Sequence, residues 1–332
     1  MSQDTKTASS RTWYDSAHAS LCVLGAHLQR IGFFDPLYEK MHIKQKVLKY
    51  TATQKLVMFV VGLLAGAKAV APTDLVVRVD PALCAAFGLP GCAEQSVIAD
   101  TLDAATDTDV AALREALATI FAQHSHARRH DFARALLLLD LDLSPLPASK
   151  NAEGSERGYM GRCRSKTGRK LVRLRAAQYQ EIVWEEIRSG RTVETLAVVQ
   201  EAISQSERLL GLDGEDDAAQ AKRARTEIRL DSGWGSTEII DWLLARGYQV
   251  TGKIKSNARV RTLVGAVAPT AWQPTTSPGR EVAPIPTPGG LRPAARAVRR
   301  AHALGVSGGG LLPGGALYQP DRVGDGGGGH PL

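Results

Sequence analysis

Three acids in this chain stand where carboxylates can do chemistry. Leu136-Leu-Leu-Leu-Asp140-Leu-Asp142-Leu-Ser-Pro-Leu-Pro147 carries two of them, and Thr226-Glu-Ile-Arg-Leu-Asp231-Ser-Gly-Trp-Gly-Ser236 carries the third, 89 residues after Asp142. Each acid ends or interrupts an apolar run short enough to be a buried strand and is followed by small, turn-forming residues. Asp140 and Asp142 project to one face of their strand, because side chains alternate with period two. Asp142 is nearer the strand tip and is the preferred ligand; Asp140 is an accessory group or a paired surface acid. Carboxylates at neighbouring strand tips form a hard oxygen donor set. That set suits Mg²⁺, with Mn²⁺ as a substitute, and leaves coordination positions open for phosphate oxygens. Taken alone, Asp231 also fits an ordinary turn acid or helix cap, with the two following glycines letting the chain bend away from the strand tip.

A basic stretch lies between the acids. Arg157, Arg162, Arg164, Lys166, Arg169, Lys170, Arg173 and Arg175 occur without a single acid among them. On a hairpin such charge can line a nucleic-acid groove, each phosphate contact releasing counterions. It also fits a solvated hairpin face.

The elements that must position these groups follow from periodicity. Residues 1 to about 20 are polar and read as frayed. From about residue 21 to 130 the spacing predicts helices over Leu37–Tyr50, Gln54–Lys68, Ser96–Leu102 and Asp109–Phe121, with Asp107 or Thr108 capping the last. The break at Phe87-Gly-Leu-Pro-Gly-Cys92 allows a DNA-reading helix-turn-helix or a packing bundle equally, since Ser96–Leu102 holds no Lys or Arg. Beyond it, strands are expected at Leu136–Asp142, Tyr159–Arg164 and Lys170–Ala176, the last two joined by a turn at Lys166-Thr-Gly-Arg169. A helix over Val193–Leu210 ended by Gly211, a strand over Arg225–Leu230, a helix over Ser236–Arg246 ended by Gly247 and a strand over Tyr248–Lys253 complete the pattern. Three strands followed by alternation with helices imply an α/β domain with a mixed sheet flanked by helices, over about 131–265. Residues 289–332 hold 13 glycines and 4 prolines and cannot repay the entropy of ordering, so disorder is expected there.

Composition sets outer bounds. The chain has 332 residues, 44% hydrophobic and 23% charged, with a net charge of +7 that leans toward a polyanionic partner. The most apolar stretch, Leu56–Ala67, is too short to span a bilayer, so no membrane association is expected. Four cysteines at 22, 84, 92 and 163 lack metal-site spacing and suit a reducing cytoplasm. Cys84 and Cys92, flanking a turn, read as buried thiols in preference to a redox pair.

Together, Asp142 after its apolar strand, Asp231-Ser-Gly-Trp-Gly-Ser236, Trp242-Leu-Leu-Ala-Arg-Gly-Tyr248-Gln-Val and Lys253 resemble the DDE transposases of bacterial insertion sequences, of the insertion-sequence-4-like kind. The likeness runs from about residue 35 to 288 and includes Phe87-Gly-Leu-Pro-Gly-Cys-Ala-Glu-Gln-Ser96. It implies an RNase H-like catalytic domain, Mg²⁺ or in its place Mn²⁺, double-stranded DNA as substrate at element ends and target, and a homodimer on DNA in a nucleoid-associated, cytoplasmic setting. It also implies DNA strand cleavage and transfer with Asp142 and Asp231 as catalytic metal ligands. The family's third acid, a Glu on a downstream helix, has no counterpart: the later acids are Glu238, Asp241, Glu281, Asp321 and Asp325. Glu281 falls in what resembles the start of an insertion domain, 266–288. The sequence therefore reads as a truncated or frame-shifted, inactive enzyme, or as a non-catalytic DNA-binding remnant or regulator.

Overall fold

The computed structural model describes residues 15–46, 49–161, 166–231, 233–254, 258–276, 280–284, 296–300 and 316–318. The chain divides into two compact units, residues 1–124 and 125–332.

The first unit is helical: α1 (Ala19–Arg30), α2 (Asp35–Lys40), α3 (Ala52–Leu64), α4 (Thr73–Val76), α5 (Pro81–Ala86), α6 (Gln95–Asp103) and α7 (Asp107–His124). Its core gathers Val57, Met58, Val61, Val77, Leu83, Phe87, Ile98 and Ala116. Local rules fix the helix starts. Thr51 and Gln54 form a reciprocal capping box on α3, and Thr106 rather than Asp107 or Thr108 opens α7, exchanging bonds with Asp109. The helix expected over Leu37–Tyr50 stops at Lys40, and residues 41–46 carry no helix. Their apolar spacing serves burial of Met41 and Ile43 in an irregular segment, which periodicity does not distinguish from a helix. Residues 87–94 separate α5 from α6, a longer link than the tight turn of a helix-turn-helix. Ile98 and Thr101 of α6 are buried, which fits the packing-bundle alternative.

Cys84 and Cys92 are buried free thiols. Burial pushes them up to about 11 and about 12, so neither forms the reactive thiolate near neutral pH. Iodoacetamide at pH 8 is expected to leave both unlabelled in the folded protein and to label both in denaturant, read by peptide mass. Labelling of either in the folded state would contradict this packing. Cys163 lies outside the described residues.

The second unit is built on one mixed sheet. Its strands are β1 (Leu137–Pro147), β2 (Glu156–Arg157), β3 (Thr167–Ala176), β4 (Glu181–Ser189), β5 (Thr226–Leu230) and β6 (Gln249–Ile254). β1 is antiparallel to β3, and β3 to β4. β1 is parallel to β5, and β5 to β6. This is the mixed sheet expected of an RNase H-like domain. Three helices flank it, α8 (Leu196–Leu210), α9 (Asp217–Ala224) and α10 (Thr237–Ala245). Beyond β6 come α11 (Ala258–Gly265), then a small second sheet of β7 (Gln273–Pro274), β8 (Arg280–Pro284) and β9 (Arg296–Arg300) around Trp272 and Ala283. Within 289–332, β9 and β10 (Ala316–Tyr318) are the described pieces, and β10 pairs with β6. The absence of regular structure expected there does not extend to these two strands.

The hairpin differs from its expected form. Lys166–Arg169 does not turn: Thr167 already opens β3, and Tyr159–Met160 carries no strand beyond a single bridge at Met160. The turn lies instead at 177–180, where Gln180 adopts φ +58, and it leads into β4, which the sequence pattern does not announce. Four acids and bases among nine residues hide that strand; Glu185 pairs across the sheet with Arg173 at 2.9 Å, while Arg188 pairs with Glu186 and with Glu201 of α8, and Glu181 accepts from the 125–127 loop.

β1 also outruns its expected end at Asp142 by five residues. Its β5 partner stops opposite Leu141, so residues 143–147 pair with β3 alone. Pro145 and Pro147 are tolerated because, among the described residues, no strand lies beside the edge that would require their missing N–H groups.

A buried polar hub ties α8 to the link between α10 and β6. Glu207, 1% exposed, accepts from Arg246 Nε at 2.6 Å and from the Tyr248 hydroxyl at 2.7 Å. Burial, then the neighbouring Glu207 charge, pushes the Tyr248 phenol far above its usual range, so it remains a donor at every working pH. Glu207→Ala leaves Arg246 and Tyr248 facing a void and is expected to cost ~3 kcal/mol or more, measured by urea unfolding. A loss below ~1 kcal/mol would show that the hub is not structural.

Candidate functional site

The parallel register decides how the sequence-predicted acids meet. Leu137 pairs with Thr226 and each step follows until Leu141 faces Leu230. Carried one residue further, Asp142 and Asp231 are successors on adjacent strands, whose axes in a sheet lie about 4.8 Å apart. Both are exposed. β5 ends at Leu230 because the next residues bend away. Asp231 Oδ1 accepts from Gly233 N at 2.8 Å, an Asx-type turn. Trp234, which follows Gly233, is fully buried, and Ser236 caps α10 by accepting from Ile239 N at 3.3 Å. Asp142 accepts from the Ser144 hydroxyl two residues along its own strand.

Asp140 has a different fate. It lies opposite Arg229 on β5, and the guanidinium bonds both its oxygens, Nε to Oδ1 at 2.5 Å and the terminal nitrogen to Oδ2 at 2.7 Å. This hydrogen bonding raises the Arg229 guanidinium above its already high range. Arg229 is a residue that the sequence motifs do not single out. The signal was available, since the same register offset brings 140 opposite 229 once 142 is set opposite 231.

Of the eight basic residues, Arg169, Arg173 and Arg175 lie on the face of the sheet that carries Asp140 and Asp142, as the register pairs Asp142 with Arg173 and Asp140 with Arg175. Arg173 leans to Glu185, and Arg175 bonds Gln180. Lys166 and Arg157 are exposed at the start of β3 and in β2. Lys170 is a correction. Its position in the alternation turns it to the opposite face, where it is 6% exposed and donates to Thr192 O at 2.6 Å in the loop before α8, so it is not available to a phosphate. Arg162 and Arg164 lie outside the described residues.

The later acids stand apart. Glu238 is exposed in the first turn of α10, Asp241 is exposed on the same helix, and Glu281 is in the small second sheet. Among the described residues no group of three His, Cys, Asp or Glu side chains is gathered to hold a metal. The donor set that Asp142 and Asp231 offer is two carboxylates open to solvent. This fits Mg²⁺, which binds through one or two carboxylates and takes its other oxygens from water and phosphate.

No family model matches the sequence, and no curated protein matches it. Among solved structures, the chain is similar to a piggyBac transposase synaptic complex with hairpin DNA, at 14% identity and a TM-score of 0.44, over 93% of this chain and 61% of that one. It is similar to a pre-cleavage Mos1 transpososome at 10% identity and a TM-score of 0.24, over 62% of this chain and 61% of that one. A Mos1 mariner paired-end complex with Mn is similar at 11% identity and a TM-score of 0.23, over 71% of this chain and 68% of that one. The chain thus spans 61% of the length of each of the first two. Assignment of a function rests on the residues at the strand ends. Among the described residues, no helix is long and apolar enough to cross a membrane.

Proposed function

We propose that the second unit is the catalytic core of a DNA transposase of the DDE type, acting on double-stranded DNA through Asp142 and Asp231 as ligands of Mg²⁺, with Mn²⁺ as a substitute. The observation that carries this reading is the register that makes the two acids successors on adjacent parallel strands, at the end where β5 stops and the sheet edge opens. Asp142, not Asp140, is the ligand on β1, because Arg229 occupies both oxygens of Asp140. A bound divalent ion would supply charge stabilisation for the attacking and leaving oxygens of a phosphodiester. The chain's own residues hold the reactants. Gly233 N–H and the Ser144 hydroxyl orient the two carboxylates, Arg169 and Arg175 bind backbone phosphates along the sheet face of Asp142, and the exposed Lys166 adds a phosphate contact just before β3.

The absence of a gathered third acid among the described residues favours a second reading for this chain as it stands: DNA binding with feeble or no cleavage. Supercoiled plasmid incubated with the full chain and Mg²⁺ or Mn²⁺ tests both. Salt-sensitive binding with Mn²⁺-stimulated nicking supports the enzyme; equal binding without nicking supports the remnant. If duplex DNA binding is absent at low salt, both readings fail.

A further inference from the structure

We infer that Glu194 is a positioning residue for Asp231, an inference that rests on the metal reading of Asp142 and Asp231 above. Glu194 lies in the loop between β4 and α8, one residue before Thr195, which caps α8. Its contact is with Gly233. A Cβ placed on Gly233 would meet Glu194 Oε1 at 2.5 Å, Cδ at 2.8 Å and Cγ at 3.0 Å, so the end of the glutamate lies flat against the glycine's α-carbon. Gly233 N–H, bonded to that same α-carbon, donates to Asp231 Oδ1 at 2.8 Å. Two carboxylates from distant parts of the chain therefore hold one residue between them.

Gly233 does not have a positive φ. The requirement for glycine at 233 is one of space, and the space is filled by Glu194. Glu194 is half-buried, and among the described residues its carboxylate has neither hydrogen bond nor ion pair. Trp234, the next residue, is fully buried, so Gly233 is held between a side chain fixed in the core and the end of Glu194, and through its N–H it holds Asp231. The Glu194 charge adds to the field that attracts a divalent ion there.

Mn²⁺ affinity of the full chain, read from the free-Mn²⁺ electron paramagnetic resonance signal, tests this separately from cleavage. Glu194→Gln is expected to weaken Mn²⁺ about five- to tenfold, the order produced by removing one charge near a divalent ion, with the thermal midpoint unchanged. Gly233→Ala should weaken it comparably by displacing Glu194. In a Glu194→Ala background the same alanine should have no further effect, because the collision is gone. Unchanged Mn²⁺ affinity in Glu194→Ala, which removes both the wall against Gly233 and the charge, while Asp231→Asn still removes binding, overturns the role of Glu194 and leaves the metal reading standing. Unchanged affinity in Asp231→Asn overturns both.

Discussion

Asp231→Asn is expected to lower Mn²⁺ affinity by at least about 100-fold while leaving the fold intact. Loss of an outer-shell partner of a metal ligand already costs about 10- to 100-fold, and loss of the ligand's charge exceeds that. Asparagine keeps an oxygen for the Gly233 N–H, so the turn over Trp234 should persist and the thermal midpoint should move little. Asp142→Asn should behave alike. Asp140→Asn should not: it strands Arg229, which is bound to both Asp140 oxygens, and so lowers stability while Mn²⁺ binding is retained. Titration of the three variants by calorimetry discriminates the assignments. If Asp140→Asn abolishes binding and Asp142→Asn does not, the ligand on β1 has been misassigned.

Removing Lys166, Arg169 and Arg175 together is expected to weaken duplex DNA binding by about 100-fold at low salt. The slope of log affinity against log salt should fall by up to about 2.7, close to 0.9 for each phosphate that is no longer neutralised. Among the described residues these three are free of the acid pairing that occupies Arg173, and Arg169 and Arg175 share the face of Asp142. Lys170→Ala is the internal control. Lys170 is buried and bonded to Thr192 O, so its removal should reduce stability and leave the salt slope unchanged. Fluorescence anisotropy of a labelled duplex across a salt series reads both. A slope insensitive to the triple change would mean that this face does not bind DNA.

Much of the second unit is legible in the sequence because local and global signals agree there. The run Leu136–Asp142, the strand before Asp231, the helix ended by Gly211 and the helix opened by Ser236 all carry an apolar period together with a cap or a turn residue. The hairpin is less legible. Thr167-Gly-Arg looks like a turn, yet Gly168 lies inside β3, where a Cβ would stand 2.4 Å from Leu146 O of the neighbouring β1 and 2.9 Å from the Met160 sulfur. Glu181-Ile-Val-Trp-Glu-Glu-Ile-Arg-Ser189 hides a strand among charges most of whose partners are distant in sequence: Arg173 on β3 for Glu185, Glu201 on α8 for Arg188, and the 125–127 loop for Glu181. Lys170 belongs with its basic neighbours only if all of them face solvent; alternation along β3 sends it to the other face. Arg229 and Glu194 are invisible for a further reason: their importance lies in what they touch, and neither contact is local.

The prolines at 145 and 147 bear on how molecules of this protein meet. An extended segment with one flank unclaimed is a template on which a second polypeptide can add by backbone pairing, and here that flank adjoins the two acids. Two positions without an N–H deny such an intruder its hydrogen bonds, so the gap beside Asp142 is kept clear for a ligand that does not need a ladder, and the fully folded chain should resist self-association through that margin even when concentrated.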